Sequence, residues 1–304
     1  MKKEILNQDY VEGSIRIGII GKGFVGSAIE YGFSFDPDYK ADIKIYDKNP
    51  SLSKNSLNET INDSDIVFVS VPTPANRDGS INLDMVEEAL LSIDECRTNN
   101  SIIILKSTLI PGSCEYFAKK FYKLNIVFNP EFLTEKNANY DFLNQSRIIL
   151  GGSTENTNKV AKIYQWRFNQ CSTKNKIPII QTNFQTAELI KYMSNTFLAT
   201  KVSFMNEMKL IASKTNVDWD KAVEGFIGDR RIGSSHVNVP GNDGKLGFAG
   251  SCFPKDLQAI IHFAQSIGVD TNVLKGAWKT NLTVRPSKDW EKLKGRAVVE
   301  EDIK

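Results

Sequence analysis

The residues best suited to chemistry cluster around a few short segments. Cys252 ends a glycine-rich run and begins CFPKD. Pro254 suits the first turn of a helix, so the thiol is expected at or just before a helix N-terminus. That setting lowers a thiol pKa and makes a nucleophile. The competing reading is a small buried apolar residue, the commoner role of a lone cysteine. Asp256 follows one turn later. Lys191 and Asn195 stand one turn apart in a long helical pattern, so they project from one face. A lysine on a helix, taken alone, is most often solvated. Glu131 and Glu135, in NPEFLTE, share a face if that segment is helical. Thr73 in VPTP and Thr108 in KST offer hydroxyls just past apolar runs, where a doubly wound sheet holds its ligands. Both segments could equally be ordinary loop starts.

A second constellation is the glycine motif GKGFVG, with Gly21, Gly23 and Gly26 directly after an apolar run. Gly21 permits a tight turn, Gly23 lets a diphosphate approach the backbone, and Gly26 allows close helix–strand packing. The free N–H groups and dipole of the helix that opens here favour an anion. Asp47 lies about twenty residues on, at the end of the second strand, where a carboxylate binds a ribose hydroxyl and disfavours a 2′-phosphate. The expected cofactor is therefore NAD. The motif alone is weak; its strand, helix and acidic residue together are not.

These segments need a scaffold. Ser14–Ile20, Asp42–Tyr46, Asp65–Val71, Ser101–Ser107, Ile126–Asn129 and Arg147–Leu150 are continuously apolar, as strands buried on both faces should be. Leu83–Arg97, Cys114–Leu124 and Asn156–Phe168 read as helices between or after them. The alternation predicts an α/β fold: a doubly wound, mostly parallel Rossmann-type sheet. A smaller helical domain follows, joined through a long helix from about Thr186 to Lys214. On it Ala187, Ile190, Met193, Phe197 and Phe204 mark a side expected to be buried. The glycine-rich stretch from Gly225 reads as a site-forming loop. The expected divisions are a tail at 1–13, a cofactor domain at 14–175, a helical catalytic and dimerisation domain at 176–285, and a charged, peripheral tail at 286–304. Within that tail Trp290 is either a docking anchor or an isolated surface aromatic.

Composition narrows the function. The chain has 304 residues, with 38 Lys plus Arg against 36 Asp plus Glu, and two His. The near-balance gives no electrostatic reason to expect nucleic acid or a membrane surface as partner. Four scattered Cys without CxxC or Cys/His spacing argue against structural zinc and a disulfide framework; no metal is expected. The polar N-terminus and the lack of a long apolar run suggest a cytoplasmic, reducing setting.

Taken in order, GKGFVG, VPTP, KST, NPEFLTE, DFLNQSRIILGG, AELIKYMSNTFLATKVSFMNE, GDRRIG and GFAGSCFPKD resemble the UDP-glucose/GDP-mannose dehydrogenase family. The resemblance implies an NAD-dependent, two-step oxidation of the C6 alcohol of UDP-glucose to UDP-glucuronate, with Cys252 forming a thiohemiacetal and then a thioester. It implies that Lys191 and Asn195 stabilise the developing oxyanion, that Asp256 and Thr108 position water and assist proton transfer, and that Glu131 is the base for thioester hydrolysis. Cofactor contacts are implied for Gly21, Gly23, Phe24, Val25, Gly26, Asp47, Lys48, Thr73, Thr108, Glu135 and Lys255. Contacts to the sugar nucleotide are implied for Glu131, Phe132, Leu133, Lys191, Asn195, Phe248 and Gly250, and for Arg231 across the interface of a homodimer. Alternatives are the same chemistry on GDP-mannose or a UDP-N-acetylhexosamine, and a non-catalytic NAD-binding relative.

Three departures from the family pattern stand out. Ala249 replaces the usual Gly in GFAGSC, the stretch after Asp47 is compact, and the residues left after the central domain are too few for the usual C-terminal nucleotide-binding domain. The chain is therefore expected to be a short form.

Overall fold

The computed structural model describes residues 15–34, 41–171 and 177–300. The expected tail 1–13, Ser14, the polar link Ser172–Lys176 and the last four residues lie outside the described residues. The chain forms two compact units. One ends at Pro72 and resumes over Leu83–Lys191; the other comprises Thr73–Asn82 and the chain from Tyr192 onward.

The first unit alternates strands and helices: β1 (Arg16–Ile20), α1 (Phe24–Ser34), β2 (Asp42–Tyr46), α2 (Leu57–Asn62), β3 (Ile66–Val69), α3 (Asp84–Cys96) and β4 (Ile102–Leu105). It continues with α4 (Ser113–Lys120), β5 (Asn125–Phe128), α5 (Ala138–Leu143), β6 (Ile148–Gly152), α6 (Thr154–Cys171) and β7 (Ile179–Thr182). The strands form one sheet in the order β2-β1-β3-β4-β5-β6-β7. The pairs from β2 through β5 are parallel, β6 runs antiparallel to β5, and β7 is parallel to β6. This is the mostly parallel, doubly wound sheet expected. The apolar runs are continuous because successive side chains enter opposite cores. Ile102 and Ile104 join Phe33, Phe68 and Phe142 on one face, while Ile103 and Leu105 join Leu90 and Phe117 on the other.

The expected division after residue 175 differs from these units. β7 is the last strand of the sheet, and the first turns of α7 (Phe184–Ala212) add Ala187 and Ile190 to the core of the first unit. The loop Thr73–Asn82 leaves the first unit between β3 and α3.

The second unit holds the rest of α7, α8 (Trp219–Ile227), α9 (Phe253–Ser266) and α10 (Asn272–Val284). Residues 228–252 contain neither helix nor strand, as the glycine content suggests. The 29-residue α7 corrects one expectation. Ala187 is buried, but Met193, Phe197 and Phe204 are 60%, 67% and 43% exposed. The face buried within the chain beyond Lys191 is instead Tyr192, Asn195, Thr196, Ala199, Ser203 and Asn206, where small and amide side chains let loops and helices approach closely.

The tail is not peripheral. Trp290 is 2% exposed and stands 5.5 Å from Trp278, ring centre to ring centre. The Arg285 guanidinium forks onto Asp289 at 2.7 and 2.8 Å and reaches Asp243 at 2.5 Å. Ala75 donates its N–H to the Ala297 carbonyl, and Val299 donates to the Ala75 carbonyl, both at 3.0 Å. The tail therefore pairs with the Thr73–Asn82 loop of the same unit. No helix among the described residues is long and apolar enough to cross a membrane.

Candidate active site

The glycine loop sits at the sheet's switch point, since β1 has β2 on one side and β3 on the other. Gly21 has φ +93°, and a Cβ there would lie 2.7 Å from the Ser70 carbonyl oxygen. A Cβ on Gly26 would lie 2.0 Å from the Gly21 oxygen. Gly23, by contrast, faces open space, with nothing within 4 Å of its missing Cβ. A tight turn, a close helix–strand contact and a bare approach to a helix N-terminus are what a dinucleotide diphosphate requires, so the residues fit the cofactor. Phe24 and Val25 are half-buried and pack on the core, anchoring the start of α1.

Asp47 accepts the Lys22 N–H at 2.6 Å on one carboxylate oxygen and the Asn49 N–H at 2.8 Å on the other. It therefore ties the loop after β2 to the glycine loop. A cleft of about 210 Å³ opens beside it, lined by Ile20, Gly21, Asp47, Lys48, Leu57 and Val71 among others. Lys48 pairs with Glu88 at this cleft at 2.5 Å. The compact stretch after Asp47 still makes a helix, α2, capped by reciprocal bonds between Ser56 and Glu59.

The C-terminal ends of β4 and β5 carry a buried cluster of charge. Lys191 donates to the Glu131 carboxylate at 2.8 Å and to the Glu131 carbonyl at 2.6 Å. The second Glu131 oxygen accepts the Leu133 N–H at 2.6 Å. Lys191 also lies 5.4 Å from the centre of the Phe132 ring, whose other cationic neighbour is Arg147 at 4.2 Å. Lys106 is 3% exposed and donates to Asn129 Oδ1 at 3.0 Å; Tyr164 donates to the same oxygen at 2.5 Å. Burial brings the Lys106 ammonium down from 10.5 to about 7, with Lys191 pushing the same way and Glu131 opposing.

Glu131 and Glu135 do not share a helical face. Residues 129–134 are not helical, and the chain forms only a 3-10 turn at Glu135–Asn137. The bond from Leu133 N–H to the Glu131 carboxylate closes a local turn that competes with helix. Glu131 is buried and Glu135 is exposed.

In the second unit Cys252 is the residue preceding α9, with Pro254 in the first helical turn, as expected. Its sulfur lies 3.8 Å from Ser251 Oγ. Asn195 donates to Asp256 at 2.5 Å, and Lys255 donates to the other Asp256 oxygen at 2.5 Å. All three are buried. Lys255 thus faces a carboxylate of its own helix turn. Gly250 is exposed with φ +80°, and Ala249 has no positive φ, so the alanine in GFAGSC fits its backbone. Phe248 turns its ring into the core against Phe253 and Trp278. Arg231 is an exposed side chain forked onto Asp229. Thr73 is buried, and Thr108, Phe132 and Leu133 are half-buried.

With this geometry in hand, the chain can be set beside known proteins. Residues 35–167 match the NAD binding domain of the UDP-glucose/GDP-mannose dehydrogenase family, and residues 185–283 match its central domain. The chain belongs to this family. A UDP-glucose 6-dehydrogenase of Rickettsia bellii is 36% identical over 252 residues, covering 81% of this chain and 55% of the relative. That of Rickettsia typhi is 32% identical over 299 residues, covering 88% and 67%. Among solved structures, a UDP-glucose dehydrogenase from the archaeon Pyrobaculum islandicum superimposes with a TM-score of 0.79 at 29% identity, covering 91% of this chain and 70% of that one. The chain spans between 55% and 70% of the length of these relatives.

The structure adds residues that spacing did not single out. Asn281 on α10 accepts the Phe248 N–H at 2.7 Å and donates to the Phe248 carbonyl at 3.1 Å. Asn206 on α7 accepts the Gly247 N–H at 3.0 Å, and Arg285 donates to the Leu246 carbonyl at 3.2 Å. These three side chains fasten the glycine loop four to six residues before Cys252. Glu188, fully buried on α7, accepts the N–H groups of Gly112 and Cys114 at 2.7 Å each, capping α4. Burial raises the Glu188 carboxyl to about 7 against those bonds. Lys106 was visible as part of KST, but nothing in its spacing separates a buried lysine from a solvated one.

Proposed function

We propose that this chain binds NAD in its first unit and oxidises the C6 alcohol of UDP-glucose to the carboxylate of UDP-glucuronate through Cys252. The observation that carries the reading is the set Cys252, Asn195 and Asp256. A thiol stands at a helix N-terminus in the same unit as a buried, hydrogen-bonded amide–carboxylate pair. Asn195 and Lys255 satisfy the buried carboxylate, so it is held out of water in one fixed orientation.

Bound NAD supplies the two-electron acceptor for each of two oxidations. The protein's own groups do the rest. The Cys252 thiolate adds to the aldehyde carbon formed in the first oxidation, making a carbon–sulfur bond and a thiohemiacetal. Loss of two further electrons and two protons makes a thioester, and water cleaves it to the carboxylate and the free thiol. Addition puts negative charge on oxygen, which the Lys191 ammonium and the Asn195 amide stabilise. Asp256, held by Asn195 and Lys255, orients the polar groups beside the thiol and with Thr108 positions water. Glu131 accepts the proton of the hydrolytic water.

In this reading Gly21, Gly23, Gly26 and the start of α1 cradle the diphosphate, Asp47 takes a ribose hydroxyl, and Lys48, Thr73, Glu135 and Lys255 are further cofactor contacts. Phe132, Leu133, Arg231, Phe248 and Gly250 serve the sugar nucleotide. The exposed apolar stripe Met193, Phe197 and Phe204 on α7 is covered by a second copy of the chain, giving a homodimer.

The test is NADH formation with a panel of UDP-glucose, GDP-mannose and UDP-N-acetylhexosamines, using wild type and Cys252→Ser. Turnover of UDP-glucose that the variant loses supports the reading. Turnover of another sugar alone corrects the substrate, and turnover of none contradicts the enzyme.

A further inference from the structure

Leu246, Gly247 and Phe248 of the glycine loop are each held by a side chain from elsewhere in their unit. Arg285 donates to the Leu246 carbonyl at 3.2 Å, Asn206 accepts the Gly247 N–H at 3.0 Å, and Asn281 bonds both backbone groups of Phe248. The two amides are neutral. Arg285 is not: its side chain is 4% exposed, and a charge held out of water needs partners where it lies.

Those partners form a closed circuit. Arg285 donates to Asp289 through Nε at 2.8 Å and Nη2 at 2.7 Å, and Nη2 also reaches Asp243 at 2.5 Å. Lys245 donates its ammonium to Asp289 at 2.9 Å and its backbone N–H to Asp243 at 3.1 Å. Asp243 and Lys245 belong to a turn that the Gly241 N–H closes on the Lys245 carbonyl at 2.8 Å. The circuit thus joins this turn, the end of α10 and the tail. A guanidinium is planar and rigid, so a fork through Nε and Nη2 fixes where Nη1 points. Here Nη1 is the group on the Leu246 carbonyl. The tail that supplies the fork is itself seated. Trp290, next to Asp289, packs on Trp278, and Ala297 and Val299 pair with Ala75.

We propose that Asp289 is a positioning residue for Cys252. It holds the Arg285 guanidinium in the orientation that fixes Leu246, and so sets the loop whose far end presents the half-buried thiol. The segment that sequence reading set aside as a peripheral tail is then a support of the catalytic loop. These contacts all lie within the second unit. What the thiol does during turnover rests on the reading given under Proposed function.

The test compares two variants. Asp289→Asn keeps the shape of the side chain and removes its charge. Ile261→Ala thins the core of the same unit from α9 without touching the circuit. Both are alkylated with iodoacetamide under conditions where each is folded, and Cys252 and Cys96 are followed separately by mass spectrometry. In Asp289→Asn the Cys252 rate constant is expected to rise about fivefold, because a charge-assisted fork has been weakened. Cys96, in the first unit, is expected to keep its wild-type rate, and Ile261→Ala is expected to leave Cys252 close to its own. An unmoved Cys252 rate in Asp289→Asn overturns the proposal. An equal rise in Ile261→Ala also overturns it, because lost stability rather than lost position would then be responsible. Asp243→Asn takes the other carboxylate off the same guanidinium and serves the same comparison if Asp289→Asn does not fold. With limiting UDP-glucose, Asp289→Asn is expected to yield fewer than two NADH per sugar, the shortfall trapped as aldehyde by a carbonyl reagent. A merely less stable enzyme keeps the ratio at two, and that result would assign Asp289 a structural role and overturn the proposal. A wild type that turns over no nucleotide sugar contradicts the dehydrogenase reading alone, since the alkylation rates decide on Asp289 without turnover.

Discussion

Among the described residues each unit buries one lysine–carboxylate pair, and the two are built in opposite ways. Lys191 and Glu131 are distant in sequence and meet only when α7 docks on the sheet. Lys255 and Asp256 are chain neighbours in the first turn of α9, and it is Asn195 on α7 that makes their contact tertiary. The first pair reports on the fold of a whole unit. The second is present as soon as α9 forms, and its orientation is what the rest of its unit must fix. Buried charge is a poor source of net stability in either case. What the two pairs share is placement, at the ends of elements where a ligand would be met.

Variants that break one pair at a time should separate these roles. The largest expected effect is from Glu131→Leu, which leaves the Lys191 ammonium buried without its carboxylate. A loss of about 3–5 kcal/mol is expected by urea denaturation. A loss under about 1 kcal/mol would mean that the pair does not close. Lys255→Met removes the local partner but leaves Asp256 its bond from Asn195, so a smaller loss is expected in the same measurement.

Next in size is Asn281→Leu. It strips both partners from the Phe248 backbone, a cost of about 1–3 kcal/mol. Alkylation of Cys252 by iodoacetamide, followed site by site by mass spectrometry, should change in rate while the stability of the first unit does not. An unchanged rate would show that the clamp on the glycine loop does not reach the thiol.

Glu188 gives the pH arm. Its carboxyl is raised by burial from 4.5 to about 7, so the folded state binds a proton more tightly than the unfolded state. Its contribution to stability is full below about 4.5 and is lost as pH rises through about 7, on the order of 3 kcal/mol in all. Wild type should therefore lose stability from this group between those values, and Glu188→Gln should flatten that slope. An unchanged slope in the variant would assign the pH dependence elsewhere. The smallest effect is expected from Lys48→Ala, an exposed ion pair worth about 0.5 kcal/mol or less in thermal denaturation.

The two regions also differ in how far they can be read from the amino acids. The sheet was legible because strands buried on both faces spell themselves as apolar runs, and GKGFVG with Asp47 marks its own turn. The start of α9 was legible from CFPKD. The clamp by Asn206, Asn281 and Arg285 was not, because a side chain that bonds to a distant backbone leaves no periodic trace. Nor was the exposure of Met193, Phe197 and Phe204, since an apolar stripe looks the same whether its cover is intramolecular or a second chain. Whether Glu131 and Glu135 share a helical face was open in the sequence, and a local side-chain bond to Leu133 N–H wins over helix at that point. Trp290 became an anchor only through Trp278 and the Arg285–Asp289 fork, both set by the tertiary fold.

In the proposed reaction one active site carries an alcohol through an aldehyde to an acid on Cys252 without letting the aldehyde go. The stoichiometry of a limiting amount of UDP-glucose, with excess NAD and the purified protein, tests it most directly. Two NADH and one carboxylate per sugar are expected, with no aldehyde captured by a carbonyl reagent in solution. One NADH per sugar with free aldehyde, or full turnover by Cys252→Ser, would contradict it.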